Sequence, residues 1–267
     1  MKFAESPFCF EGKLKTCIVD GRIKDELEKS LLDRDIRVIK TPKCKDVYDA
    51  ISYHPDIQFF NCGNGKIIVA PNLYESYIEI LNKFYSSEEG YEIENIKIDL
   101  IKGDKPLSKK YPDDIAYNVC IVGKYALHNF EYTDKEVLKY LDENEFERIN
   151  IKQGYSKCSI CVVDDKSIIT ADKGIVDSIE KSGADIDYLL IEQGNIDLFD
   201  MNFGFIGGCT GILSDSEVGF LGKVENHPDF EKIKEFLNKY GKRYVSLSKE
   251  KLIDLGSIMP IVIEQWI

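Results

Sequence analysis

The sequence predicts an α/β protein of ββαβ repeats set in a ring, a five-fold pseudosymmetric α/β propeller. Three observations lead there. A unit of two short apolar runs, a helix and a third apolar run recurs about five times along the 267 residues. The helices are amphipathic, as where Phe230, Ile233, Phe236 and Leu237 recur along one helical face. A last extended run, Ile258–Ile263, follows the final helix–strand pair without a helix of its own. Each such unit leaves a helix face and a sheet edge uncovered, so it needs neighbours, and a lone trailing strand can complete a unit begun at the N-terminus.

In chain order, one domain is expected over residues 1–267, with repeats near 15–45, 54–100, 112–152, 155–192 and 203–247 and a closing strand at 252–264. The repetition is clearest at Asp56–Ile98, Ile115–Ile151, Ser156–Ile191 and Phe205–Leu247. In the second copy Ile57–Phe60 and Ile67–Ala70 flank the turn Gly63–Lys66, followed by a helix over Leu73–Lys83 and a strand at Ile96–Ile98. In the fourth, strands Cys158–Val163 and Ile168–Thr170 flank Asp164–Ser167, then a helix at Gly174–Lys181 and a strand at Tyr188–Ile191. His227-Pro228-Asp229 reads as a helix start in the fifth. The polar stretches Ser86–Glu94 and Lys102–Asp114 read as surface connections.

A hydrophobic fraction of 43% and a charged fraction of 31% are those of a globular protein. The formal charge of −12 argues against nucleic acid, whose recognition requires a basic face. No run reaches membrane-spanning length and residues 1–10 lack a signal-like apolar segment, so a cytoplasmic location is expected. The eight cysteines form no disulfide framework and read as reduced thiols.

The repeat pattern resembles the pentein, or guanidino-group-modifying, fold: five ββαβ modules around a pseudo-fivefold axis. That family includes arginine deiminases, amidinotransferases, agmatine deiminases, dimethylarginine hydrolases and a non-enzymatic ribosome anti-association factor. The tail Tyr244–Asp254 with Leu255–Ile263 resembles the dimethylarginine hydrolase ending, which leads into the strand bearing the catalytic cysteine. His54–Phe60 resembles that family's Pro-Asp approach to its second module. With Gly154–Ser159 and Gly204–Gly208 as recurrent motifs, the whole sequence resembles an uncharacterised bacterial branch of that fold.

The resemblance implies a cysteine nucleophile, a histidine acid/base and acidic groups that hold a guanidinium. Carried over by position, all three depart from the pattern. The closing stretch is Gly256-Ser257-Ile258-Met259, with no cysteine after Cys209. The histidine position is Tyr155, and the third-module acid position is Ile115–Asn118. Asp56 alone retains an acid. The family catalytic set is therefore expected to be missing.

The remaining axial candidates are Asp56, Asn118, Tyr155 and Lys157 for ligand binding, with Cys209, Cys158 and His54 as catalytic candidates. Cys209, in Gly207–Gly211, reads either as a thiol on a pocket wall or as a small core residue. Cys158 and Cys161 are expected on opposite faces of one strand, which argues against a shared metal or disulfide. Tyr155 and Lys157 share a strand face that a solvated edge would equally explain. Of the three histidines, His128 is expected to face solvent and His227 to belong to a helix start. No cluster has zinc spacing, so neither metal nor cofactor is expected. Gly204–Gly211 is not a phosphate loop, because no helix follows it.

Three functions remain open. One is a non-catalytic or unconventional binder of a small polar or cationic ligand, of guanidine or amine type, at the axis. Another is a divergent guanidino hydrolase with a relocated cysteine. The third is a non-enzymatic protein-interaction module, its partner unknown.

Overall fold

The structure is a computed structural model that describes residues 1–86 and 97–265. The chain begins with strands β1 (Lys2–Phe3) and β2 (Lys13–Val19), helix α1 (Asp25–Leu32) and β3 (Arg37–Lys40). The second module comprises a one-turn helix α2 (Pro55–Gln58), β4 (Phe59–Gly63), β5 (Lys66–Val69), α3 (Tyr74–Ser86) and β6 (Asp99–Lys102). The third is β7 (Cys120–Val122), β8 (Tyr125–His128), α4 (Lys135–Glu143) and β9 (Glu147–Asn150). The fourth is α5 (Ser156–Ser159), β10 (Ile160–Asp164), β11 (Ser167–Thr170), α6 (Lys173–Ser182) and β12 (Asp187–Leu190). The fifth is β13 (Thr210–Ser214), β14 (Glu217–Phe220), α7 (Phe230–Lys239) and β15 (Arg243–Ser246), and β16 (Met259–Glu264) closes the chain.

Every module has one pairing rule: an antiparallel hairpin whose second strand pairs in parallel with the strand after the helix. The first module obeys it only because β16 lies antiparallel to β2, which pairs in parallel with β3. The C-terminal strand thus completes the N-terminal unit, as the repeats predict. Modules one and five are joined into one sheet where Ser214 meets Lys13.

The helices form where an apolar stripe coincides with good ends. Asp134 caps α4 by accepting from the Glu136 and Val137 amides, and Asp172 caps α6 by accepting from Gly174 and Ile175. Gly183, at φ 71°, ends α6 in the left-handed conformation that glycine adopts freely. The buried stripes are short: Leu27 and Leu31 in α1, Tyr77 and Leu81 in α3, Val137 and Leu141 in α4. The hairpins are buried on both faces, which explains their unbroken apolar runs. In β10, Ile160 and Val162 pack into one core cluster, while Cys161 and Val163 pack into the other.

Several expected boundaries shift. Ile57 and Cys158 lie in one-turn helices ahead of their strands, because α2 and α5 occupy the polar-containing leads. The strand expected at Ile96–Ile98 is observed at Asp99–Lys102, with Ile96 outside the described residues. Of the polar connection Ser86–Glu94, Ser86 ends α3 and the rest lies outside the described residues. Pro228 precedes α7 rather than opening it, and Asp229 takes the capping position. Asp114, at the end of the second polar connection, is buried. Among the described residues, no helix is long and apolar enough to cross a membrane.

Candidate functional site

The lead-in turns of the modules build the site. Pro55 holds His54 in extended backbone and starts α2, which carries Asp56. Tyr155 stands at the same place ahead of α5, which carries Lys157 and Cys158. Ahead of β16 the chain turns through Gly256 and Ser257, at φ 69° and 78°. A Cβ on Gly256 would lie 2.4 Å from that of His54, so only glycine lets the closing segment approach the second module this closely. Gly208 plays the same part towards Asp254, whose Oδ1 would lie 1.9 Å from an added Cβ. The glycines of Gly204–Gly211 therefore admit the chain's own groups.

These turns enclose a cavity of about 250 Å³. His54, Cys158 and Asp254 supply its ionisable lining, and Tyr48, Ile51, Tyr155 and Phe205 stand around them. Leu198, Met201, Asn202 and Phe203, from the loop between modules four and five, complete it.

Cys158 is only 2% exposed, yet it lies on the cavity. Its Sγ donates to Asp56 Oδ2 at 3.1 Å and accepts from Asn118 Nδ2 at 3.2 Å. Asn118 Oδ1 in turn accepts from the amides of Lys157 and Cys158, fixing the turn that presents the thiol. Burial, then the Asp56 and Asp254 carboxylates, holds the thiol well above its ordinary range.

His54 is fully buried, and among the described residues neither ring nitrogen has a hydrogen-bond partner within bonding distance. Nδ1 lies 3.8 Å from Asp254 Oδ1, and Nε2 lies 3.8 Å from Asp20 Oδ2. Burial and the Arg22 charge push its pKa down to about 3, so the imidazole is neutral at ordinary pH and a weaker base than a free histidine. The Asp254 carboxylate receives the Phe205 and Gly256 amides at 2.9 and 3.1 Å. Burial and Asp56 nevertheless push its pKa up to about 7. Asp56 is also raised by burial, with Lys157 opposing.

Beneath Cys158, Lys157 Nζ donates to Ser257 Oγ at 2.9 Å and to the Gly207 carbonyl at 3.3 Å. Ser257 Oγ lies 3.0 Å from Asp56 Oδ2 and 2.9 Å from the Gly207 carbonyl oxygen. On the wall, Tyr155 donates to Asp114 Oδ2 at 2.8 Å, with its hydroxyl 2.9 Å from that of Tyr48.

The sequence candidates divide accordingly. His54, Tyr155 and Cys158 line the cavity, while Asp56 and Asn118 hold Cys158 from behind. Lys157 is 4% exposed, which rules out the solvated-edge reading: a turn, not a strand face, carries it inward. Cys209 does not line the cavity; it is buried in the second core cluster with its thiol on the Ile206 carbonyl. His128 is fully buried between Thr133 and the Gly154 carbonyl, correcting its expected exposure. Cys158 and Cys161 fall in different core clusters, not on two faces of one strand.

The expectation that a catalytic set is missing also needs correction. His54, Asp56 and Cys158 come together, their donor atoms all within 4.8 Å of one another, although no short sequence spacing announces them. Such a nitrogen, oxygen and sulfur trio also has the donor types of a zinc site. Sequence reasoning missed Asp254, Asp20, Asp114 and Tyr48. Asp254 did stand inside the tail stretch that carries the family resemblance.

The sequence profile of a family of unknown function, DUF6873, matches residues 18–259. No curated protein matches the sequence. Among solved structures, an amidinotransferase of the saxitoxin biosynthetic pathway from Microseira wollei is similar at 14% identity and a TM-score of 0.55, with 90% of each chain covered. The C. jejuni agmatine deiminase is similar at 10% identity and a TM-score of 0.52, covering 100% of this chain and 98% of its own. A DDAH of Pseudomonas aeruginosa, solved with citrulline, gives 10% identity and a TM-score of 0.50 over 89% and 92% of the two chains. These relatives have the pentein fold, and this chain shares it.

Proposed function

The chain belongs to the DUF6873 family of unknown function, and we propose that it is a guanidino-group-modifying enzyme with a relocated nucleophile, Cys158. The observation that carries this reading is the meeting of a cavity-lining thiol, a neutral imidazole that makes no hydrogen bond among the described residues and a buried carboxylate: Cys158, His54 and Asp254. The family resemblance assigns the nucleophile to the closing segment, where this chain has Gly256-Ser257-Ile258-Met259 and no cysteine. Here the lead-in turns of modules two and four carry the histidine and cysteine instead. Pseudosymmetry makes this exchange physically simple, since these turns open onto one cavity.

The cation is held by Asp254, with Asp56 behind it. Its positive charge offsets the Asp56 and Asp254 carboxylates that help keep Cys158 protonated, so the cation favours the thiolate. Asp56 Oδ2, which already accepts the thiol hydrogen bond, takes the thiol proton, and sulfur bonds to the central guanidinium carbon. The carbon–nitrogen bond to the departing amine breaks, and that amine leaves with the proton, handed on through His54. The cysteine then carries an amidino group as a thiouronium. Attack by water breaks the carbon–sulfur bond and restores the thiol; attack by a second amine would transfer the group instead.

The high thiol pKa favours a second reading, binding without turnover. One experiment separates the two. Intact-protein mass spectrometry after incubation with a guanidine panel should show an amidino adduct on Cys158. A ligand that raises the melting temperature but leaves no adduct and no product supports the binder and excludes this enzyme.

A further inference from the structure

We propose that the cation taken by this site carries an apolar, uncharged tail, as in an alkyl- or arylguanidine, and is not an amino acid. The inference rests on the cation site proposed above and adds the class of its tail. Beyond the ionisable groups, the cavity is bounded by aromatic rings of Tyr48, Tyr155, Phe203 and Phe205 and by aliphatic side chains, with Asn202 as its one neutral amide among the described residues. The rings form a connected wall: Tyr155 and Phe205 have centroids 6.3 Å apart, and Phe203 meets Phe205 edge-on at 6.3 Å. Such faces suit an apolar or aromatic substituent and reinforce a nearby cation.

A buried tail carboxylate is best held by a cation, and among the described residues no lysine or arginine lines the cavity. Arg22, whose guanidinium stacks 4.5 Å from the Phe199 ring centre, is already engaged. It donates to both Asp20 oxygens and to the Asp49 and Ala50 carbonyls. Lys157 is held beneath Cys158 by Ser257 and Gly207. An amino-acid substrate would therefore hold its carboxylate against an apolar wall without a cationic partner. At the outer side Met201 is 52% exposed, so the apolar lining continues to solvent.

The test is calorimetric binding of benzylguanidine, agmatine and arginine to the Cys158→Ala protein, which cannot turn them over. Cys158→Ser serves as the second variant if a melting curve shows that the first fails to fold. Benzylguanidine should bind at least about 10-fold tighter than arginine. Met201→Arg, a change at an exposed position, should narrow that ratio by improving arginine. Arginine binding as tightly as benzylguanidine to the unaltered pocket would overturn the tail assignment and leave the cation site standing. Failure of all three to bind either variant or the unmodified protein would remove the cation site, and the tail assignment with it.

Discussion

Cys158 and Cys209 occupy the lead-in turns of the fourth and fifth modules, both buried and both with thiols held in protonated form, yet they face different surroundings. Cys158 is separated from its strand by Ser159, and its thiol reaches the cavity between Asp56 and Asn118. Cys209 abuts β13, and its thiol closes on the Ile206 carbonyl within its own turn. Both thiols border a core cluster, but with a one-residue difference of position only Cys158 also meets the cavity. The repeat thus supplies equivalent places, and the position within each turn accompanies which thiol lines the cavity.

The sharpest test of that comparison exchanges the thiols. Cys158→Ala should abolish adduct formation and lower turnover by on the order of 10³-fold or more. Cys209→Ala should leave turnover nearly intact and cost about 1 kcal/mol of stability. Equal losses of activity, at matched stability in denaturant melts, would break the distinction.

Next comes the second module. His54→Gln should lower the rate by about 10²–10⁴-fold and remove the acidic limb of the pH–rate profile. With a pKa near 3, His54 is neutral across the ordinary range, so that limb should lie well below the usual histidine value. An unchanged limb would assign proton transfer elsewhere.

The smallest effect concerns stability at Asp254. Its pKa rises from 3.8 to about 7 on folding, so the folded state binds more protons than the unfolded state between those values. The contribution of the protonated carboxyl is fully present below the unfolded pKa and is lost as pH rises through the folded one. Asp254→Asn should therefore be more favourable relative to the unaltered protein at pH 8 than at pH 5, by on the order of a few kcal/mol. Parallel melting-temperature profiles for the two proteins would contradict the raised pKa.

Much of the architecture was legible because repetition and apolar periodicity are local signals. The lone Ile258–Ile263 run implied a unit shared by both chain ends, and β16 beside β2 is that unit. The one-turn helices α2 and α5 were not legible, since four residues are too few to display a period. His128 misled for a related reason: its partners, Thr133 and Gly154, belong to the next loop and the next module. Asp254 stands within the Tyr244–Asp254 stretch, but nothing adjacent in sequence marks it as a buried acid.

The sequence by itself determined the ββαβ unit, its recurrence, its closure by the last strand and most of the polar residues that gather near the axis. Tertiary structure alone decided which of them meet. His54, Cys158 and Asp254 come from the second module, the fourth and the closing segment, so no spacing along the chain relates them. Their protonation states were likewise undetermined, because desolvation and neighbouring charge set them, and both arise only when the turns pack together.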